Sequence, residues 1–435
     1  MTRGWRVLLF VAAGLPAALG VFAQRPPSAP LPTVPIVRLA VPDRMNAVPA
    51  LAARGAFVAV VWAATAENQT DAFVAVSRDG GRSFGGPSRV NDVPGTVRAA
   101  TESGPRVALG PPLAGRTDPV VTVVWAGREP ASTIRLTRSR DGGRTFDAST
   151  RLEGEHAVGN RGWASLDVDD RGAARVVWLD HRRTAAWPGG EHHHGGGVTS
   201  APVRDTEPTP TDAVARAQLS GLYMASGSGP AREIARGVCY CCKTSMASGP
   251  GGVVVASWRH VFDGNLRDIA FVLSRDGGRT FGAPTRVSQD GWAIDGCPED
   301  GPAVALDTTG AVHLAWPTVV PGPAPFKAVF YASARDGVHA SPRMQLSPRG
   351  RTVAHPSIVL AADGLPLVAW DGAGTDRAIW VTAGMKNGRF GPPTRLSGEV
   401  DASYPVGART SDGVLWAWRE QEGAATRIAV SRPPR

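Results

Sequence analysis

The octapeptides SRDGGRSF (77–84), SRDGGRTF (139–146) and SRDGGRTF (274–281) are nearly identical, and each lies between two apolar, alternating segments. DAFVAV, TIRLTR and DIAFVL precede them, and short runs ending in PSRV, STRL and PTRV follow. An Asp-Gly pair between two period-two segments is the strongest short-range hairpin signal. A second repeat extends further: an apolar strand ending in tryptophan recurs at Trp62, Trp125, Trp178, Trp258, Trp316, Trp370 and Trp418. Most of these follow another apolar strand and a glycine turn, as in PAVALDTTGAVHLAW. Such self-similarity constrains the architecture of this 435-residue chain more than any other property. Each unit is too small to bury its apolar faces except against its neighbours.

The repeats read as seven four-stranded antiparallel units, with degenerate octapeptides at SARDGVHA (333–340) and GMKNGRF (384–390). The last unit has only three strands before the chain ends, whereas PIVRLAV (35–41) resembles the outer strands but has no inner strands before it. The economical reading is that 35–41 completes the last unit and closes a ring, which removes an open sheet edge. The octapeptides match the Asp-box, or BNR repeat, Ser-x-Asp-x-Gly-x-Thr-Phe. On that motif the chain resembles the sialidase-like (neuraminidase superfamily) β-propellers. The expected fold is all-β: a seven-bladed β-propeller, with six blades, as in classical sialidases, the alternative. The resemblance implies that Asp79, Asp141 and Asp276 cap turns on the face away from any ligand, a structural role.

The chain opens with Arg3 and Arg6, an apolar run of about fifteen residues and small residues before Gln24, the pattern of a cleavable export signal. Residues 1–23 are expected to be that signal, 24–34 a Pro-rich linker, and 35–435 one propeller with a loop insertion at about 179–220. The product is expected to be periplasmic or secreted and monomeric, without a membrane span. Net charge is +9, but the basic residues are almost all scattered arginines, with only Lys243, Lys327 and Lys386 as lysines. No basic run interleaved with aromatics appears, which argues against nucleic acid as a partner.

In a propeller the segments leading into the inner strands share one face, at the mouth of the central channel. Those segments would be DRMNAVP (43–49), TESGP (101–105), GNRGW (159–163), CYCCKT (239–244), DGCPEDGP (295–302), RTVAHP (351–356) and DASYP (401–405). They bring Arg44, Glu102, Arg161, Lys243, Glu299, Asp300, His355 and Tyr404 toward one mouth, and the loops after the tryptophans add Asp180, His181, Arg182, Arg183, Arg259 and His260. A convergence of charged groups in a concavity is the default binding site for a glycan or other small ligand. Cys239, Cys241 and Cys242 lead into blade 4 and Cys297 into blade 5, so the quartet falls between neighbouring blades. In an oxidising compartment an even cysteine count favours disulfides. A copper or zinc site with His181, His260 or the His192, His193, His194 run is the alternative, and a catalytic thiol the third reading.

The resemblance implies a glycoside hydrolase in which three arginines clamp a substrate carboxylate, a tyrosine is the nucleophile with a glutamate beside it, and an aspartate is the acid. In this chain Arg44, Arg161, Arg182 and Arg259 are the clamp candidates, with Lys243 and His355 as further substrate contacts. Tyr404 is the nucleophile candidate, with Glu299 its base and Asp300 or Asp180 the acid. The family's F/Y-R-I-P motif is replaced by DRMNAVP. The alternative is a non-catalytic exported propeller that binds a glycan, a protein or a transition metal at the cysteine-rich mouth.

Overall fold

The computed structural model describes Met1 and residues 35–433, apart from 130, 153–157, 185–209, 295–297, 299, 350–351 and 374–376. The expected leader and linker therefore lie outside the described residues, Met1 aside, as do His192, His193, His194, Cys297 and Glu299. The chain forms seven antiparallel sheets arranged as a propeller. The inner strands are Met45–Arg54, Arg106–Pro112, Arg161–Val168, Ser245–Ser248, Ala303–Leu306, Thr352–Leu360 and Asp401–Thr410. The second strands are Phe57–Ala66, Pro119–Gly127, Ala174–Asp180, Val254–Arg259, Val312–Val320, Pro366–Ala373 and Gly413–Glu422. Each second strand carries one of the repeated tryptophans, and all seven are fully buried. Six blades have four strands, and blade 2 gains a fifth where Val97–Arg98 pairs with its second strand.

The ring closes as the incomplete last unit requires. Val37–Leu39 pairs with the third strand of blade 7, Ala425–Ser431, with Leu39 opposite Ile428. Asn46, at the start of blade 1, stitches the joint: its N–H donates to Thr426 Oγ1 at 2.6 Å and its Nδ2 to the Thr426 carbonyl at 3.0 Å. Its Oδ1 accepts from Val41 N–H at 2.9 Å and Trp62 Nε1 at 2.8 Å. A side-chain amide that is 1% exposed has its hydrogen-bonding capacity used on both sides of the closure.

The three octapeptides form the third-to-fourth strand turns. In blade 1 the N–H groups of Arg82 and Ser83 donate to Asp79 Oδ1 at 2.9 and 3.0 Å, and Ser77 Oγ donates to the same oxygen at 2.6 Å. Hydrogen bonds, that of Ser77 foremost and then that of Ser83, hold the Asp79 carboxyl well below the usual carboxylate range. Asp141 and Asp276 make the same contacts in blades 2 and 4. Gly80 and Gly81 sit at φ 77° and 90°, a region open mainly to glycine. The box aromatics pack across blade boundaries: Phe84 joins residues of blades 7 and 1, and Phe281 those of blades 3 and 4.

Candidate functional site at the channel mouth

The inner strands begin with a shared irregularity. Val48, Trp163, His355 and Tyr404 hold left-handed backbone (φ 50°, 51°, 51° and 58°), and each falls at a register shift between its inner and second strands. Non-glycine residues in this region are strained, and their clustering is a signature of functional sites. In blades 2 and 5 the equivalent residues are Gly104 and Gly301, each before a proline. A methyl carbon on Gly301 would stand 2.0 Å from the Lys243 carbonyl oxygen, so no larger residue fits there. The recurrent pre-proline positions in NAVP, ESGP, EDGP, VAHP and ASYP are thus the sequence trace of a ring of bulges around the channel.

All seven blades contribute to a cavity of about 220 Å³ at this mouth, lined among others by Glu102, Arg106, Lys243, His355 and Tyr404. The rings of His355 and Tyr404 lie 4.1 Å apart. His355 Nδ1 is 2.7 Å from Asp371 Oδ2, which also accepts the Tyr404 N–H at 2.9 Å. Asp300 pairs with Lys327 and lies 3.8 Å from His355 Nε2. On the other side, Lys243 Nζ contacts Glu102 at 2.7 Å and donates to the Pro356 carbonyl at 3.2 Å, while Glu102 Oε2 accepts the Gly301 N–H at 3.1 Å. Burial opposes the charged imidazolium of His355, but Asp371, then Glu102 and Asp300, raise its pKa above the ordinary histidine value. Burial likewise opposes the Asp300 carboxylate, and Lys327 and His355 outweigh it, lowering its pKa. The arrangement is an enclosed cluster of alternating charge with an aromatic pair at one side, able to exchange protons and to hold a polar ligand.

Asp300, His355, Tyr404 and Lys243 therefore meet at the mouth, but the arginines proposed for the clamp do not. Arg161 has no exposed side-chain surface; its Nε contacts Asp180 at 3.1 Å, and its Nη atoms face the carbonyls of Val158 and Gly159. Arg182 meets the same Asp180 at 2.7 Å and stacks on Tyr223, so Asp180 is a buried counter-ion for two guanidinium groups. Arg259 is fully buried and donates to the carbonyls of Asp300, Arg267 and Pro317, which positions the Asp300 segment. Arg44 pairs with Asp71 at 2.8 Å. Asp371 and Lys327 belong to the cluster and were not singled out from the sequence. Asp371 directly follows the buried Trp370, the same place as Arg259 after Trp258, and that is the signal that marks it.

The cysteines form a second centre beside the mouth. Cys239 and Cys242 are free thiols with sulfurs 3.0 Å apart, and Cys241 Sγ is 3.9 Å from that of Cys239. The three sulfurs lie within 4.8 Å of one another, the one group among the described residues able to hold a metal ion, and it includes neither His181 nor His260. Burial drives both histidines down to about pKa 4, with the Trp258 Nε1–H directed at His260 Nδ1 at 3.3 Å. Arg267 Nη1 donates to Cys239 Sγ at 3.1 Å. Burial alone would raise the Cys239 thiol, but the Cys242 hydrogen bond and the Arg267 charge bring it down to about 6. The insertion adds a helix, Pro210–Leu219, and its Val214 and Ala217 cover this cluster.

A closed ring of seven blades with Asp-boxes on one face makes the chain a seven-bladed Asp-box β-propeller in fold. It shares that fold with a lectin from Burkholderia pseudomallei, at 10% identity over 90% of this chain and 98% of that chain, TM-score 0.57. An α-L-arabinofuranosidase from Fusarium graminearum matches at 12% identity over 91% and 94% of the two chains, TM-score 0.48. A Hadza microbial sialidase matches at 15% over 86% and 76%, TM-score 0.45. No protein-family model matches the chain, and no curated protein is similar enough in sequence to match.

Proposed function

We propose that this chain is an exported, monomeric propeller that recognises a carbohydrate at the channel mouth. The observation that carries the reading is the convergence of His355, Tyr404, Asp371, Asp300 and Lys327 at the ring of bulges. An aromatic pair beside carboxylates and an ammonium group suits a sugar, whose apolar face stacks and whose hydroxyls both donate and accept. Hydrolysis of sialosides is a narrower reading and asks for an open three-arginine clamp. Arg161 and Arg259 are enclosed by protein, so turnover of a fluorogenic sialoside is expected to be absent. The test is a glycan array followed by titration of the best ligand against Tyr404→Ala, which should weaken binding about tenfold or more. An array with no ligand, or unchanged affinity in the variant, removes this reading.

A second reading, a copper or zinc site on Cys239, Cys241 and Cys242, is favoured by the approach of their three sulfurs. A disulfide from Cys241 to Cys297, which leaves Cys239 and Cys242 as the two thiols, competes for one of those sulfurs. Metal analysis with a thiol count on protein recovered from the native compartment separates them. Two titratable thiols and no metal favour the staple; metal at one equivalent, with four thiols after its removal, favours the ion site.

A further inference from the structure

On the face opposite the mouth, the box hairpins pack tightly against the preceding blade, with one exception. A methyl carbon on the second box glycine would stand 2.5 Å from Leu415 at Gly81, 2.9 Å from Val76 at Gly143 and 2.7 Å from Met224 at Gly278. The shortened box of blade 5 keeps the contact, with Gly337 at 2.5 Å from Leu273. In blade 6, where GMKNGRF has lost the box aspartate, Gly388 has nothing within 4 Å. This hairpin stands off its neighbour, and a cleft of about 1020 Å³ opens between blades 5 and 6.

The chemistry of the cleft is one-sided. Its floor holds Tyr331 and Phe390 edge to face at 4.8 Å, with His313 Nδ1 2.7 Å from the Tyr331 hydroxyl. His313 Nε2 is buried without a hydrogen-bond partner, and its nearest carboxylate, Asp307, is 3.6 Å away. The two carboxylates of the rim are consumed locally. Asp307 accepts from the N–H groups of Thr309 and Ala311, and Asp336 from those of Val338 and His339. Arg335, Lys386 and Arg389 also line the cleft, are exposed, and have no side-chain ion pair or hydrogen bond among the described residues. Each rim acid is thus held as a carboxylate by its own turn, Asp336 also with His339 Nδ1 at 2.6 Å, while among the described residues the three cations have no such partner.

We propose that this cleft binds an acidic saccharide of the hexuronate class, as a second ligand site independent of the mouth. The aromatic floor takes the apolar face of a sugar ring, the orphan imidazole nitrogen meets a hydroxyl, and the unpaired cations hold the carboxylate. A uronate residue carries all three features on one ring. A neutral sugar leaves the cations unused, and a simple inorganic anion leaves the floor bare.

The experiment is calorimetric titration of the whole protein with trigalacturonate, and with maltotriose as a neutral control. Trigalacturonate should bind and maltotriose should bind at least about tenfold more weakly, with the difference shrinking as salt is added. The surface double variant Lys386→Glu/Arg389→Glu should keep its thermal transition and lose about tenfold or more in trigalacturonate affinity. Tyr404→Ala, at the mouth, should leave that affinity unchanged. Absence of trigalacturonate binding, equal binding of the neutral sugar, or an affinity indifferent to the charge reversal overturns the proposal. Loss of binding in Tyr404→Ala with none in the double variant assigns the ligand to the mouth instead and equally overturns it.

Discussion

At the scale of single residues, the mouth is built from positions where side-chain type and backbone conformation conflict. His355 and Tyr404 are held in left-handed backbone that neither prefers, and the surrounding strands and Asp371 keep them there. Because Asp371, Glu102 and Asp300 raise the His355 pKa, the folded state binds its proton more tightly than the unfolded chain does. The resulting stabilisation is fully present below the unfolded histidine pKa and is lost as pH rises through the folded value. Chemical denaturation between mildly acidic and alkaline pH should show this loss, and His355→Gln should flatten the curve there. Gly301 is a second residue-level test, since an added methyl collides with the Lys243 carbonyl. Gly301→Ala should cost roughly 2–4 kcal/mol in a denaturant midpoint series, whereas Gly398→Ala, where a methyl meets open space, should be close to neutral.

At the scale of elements, the Asp-box is a self-contained hairpin whose integrity decides how closely neighbouring blades approach. The box of blade 2 satisfies two backbone N–H groups and two hydroxyls through Asp141 and docks Gly143 on Val76. Asp141→Ala should lower the melting temperature by about 2–4 °C, read by differential scanning calorimetry. Asp363, in the first turn of blade 6, accepts a single backbone N–H and should give a smaller shift when changed to Ala. The repeated tryptophan is the element's other fixed point. Trp316, fully buried and donating to Asp290 Oδ2 at 2.8 Å, should cost about 3–5 kcal/mol on change to Ala. These devices were readable as motifs because both are local: a turn and its cap lie within eight consecutive residues, and the tryptophan marks a strand.

At the scale of the whole molecule, the ring is as strong as its closure, since blade 7 is completed by residues almost four hundred positions away. Asn46 bonds to Thr426 on one side and to Val41 and Trp62 on the other, so Asn46→Ala should cost about 2–4 kcal/mol and lower the unfolding midpoint of the entire propeller in one transition. An unchanged midpoint, or a separate early transition, would show that closure and blade stability are uncoupled. The amino-acid sequence by itself favoured seven blades over six, and it determined the Asp-box turns, the closing strand and the set of segments that share the mouth. Each follows from short-range periodicity repeated along the chain. It also named Tyr404, His355, Asp300 and Lys243, because repeat position alone places them at the channel. Only the tertiary structure decided which charges meet. Asp180 could be nominated as an acid and Arg161 and Arg259 as clamp residues, but their pairing partners are set by distances between blades that no repeat encodes. Asp371 and Lys327 entered the cluster the same way, and so did the cleft over Tyr331 and Phe390. Loss of the box aspartate in blade 6 looks trivial in the repeat, but that hairpin stands off its neighbour while the shortened box of blade 5 stays docked.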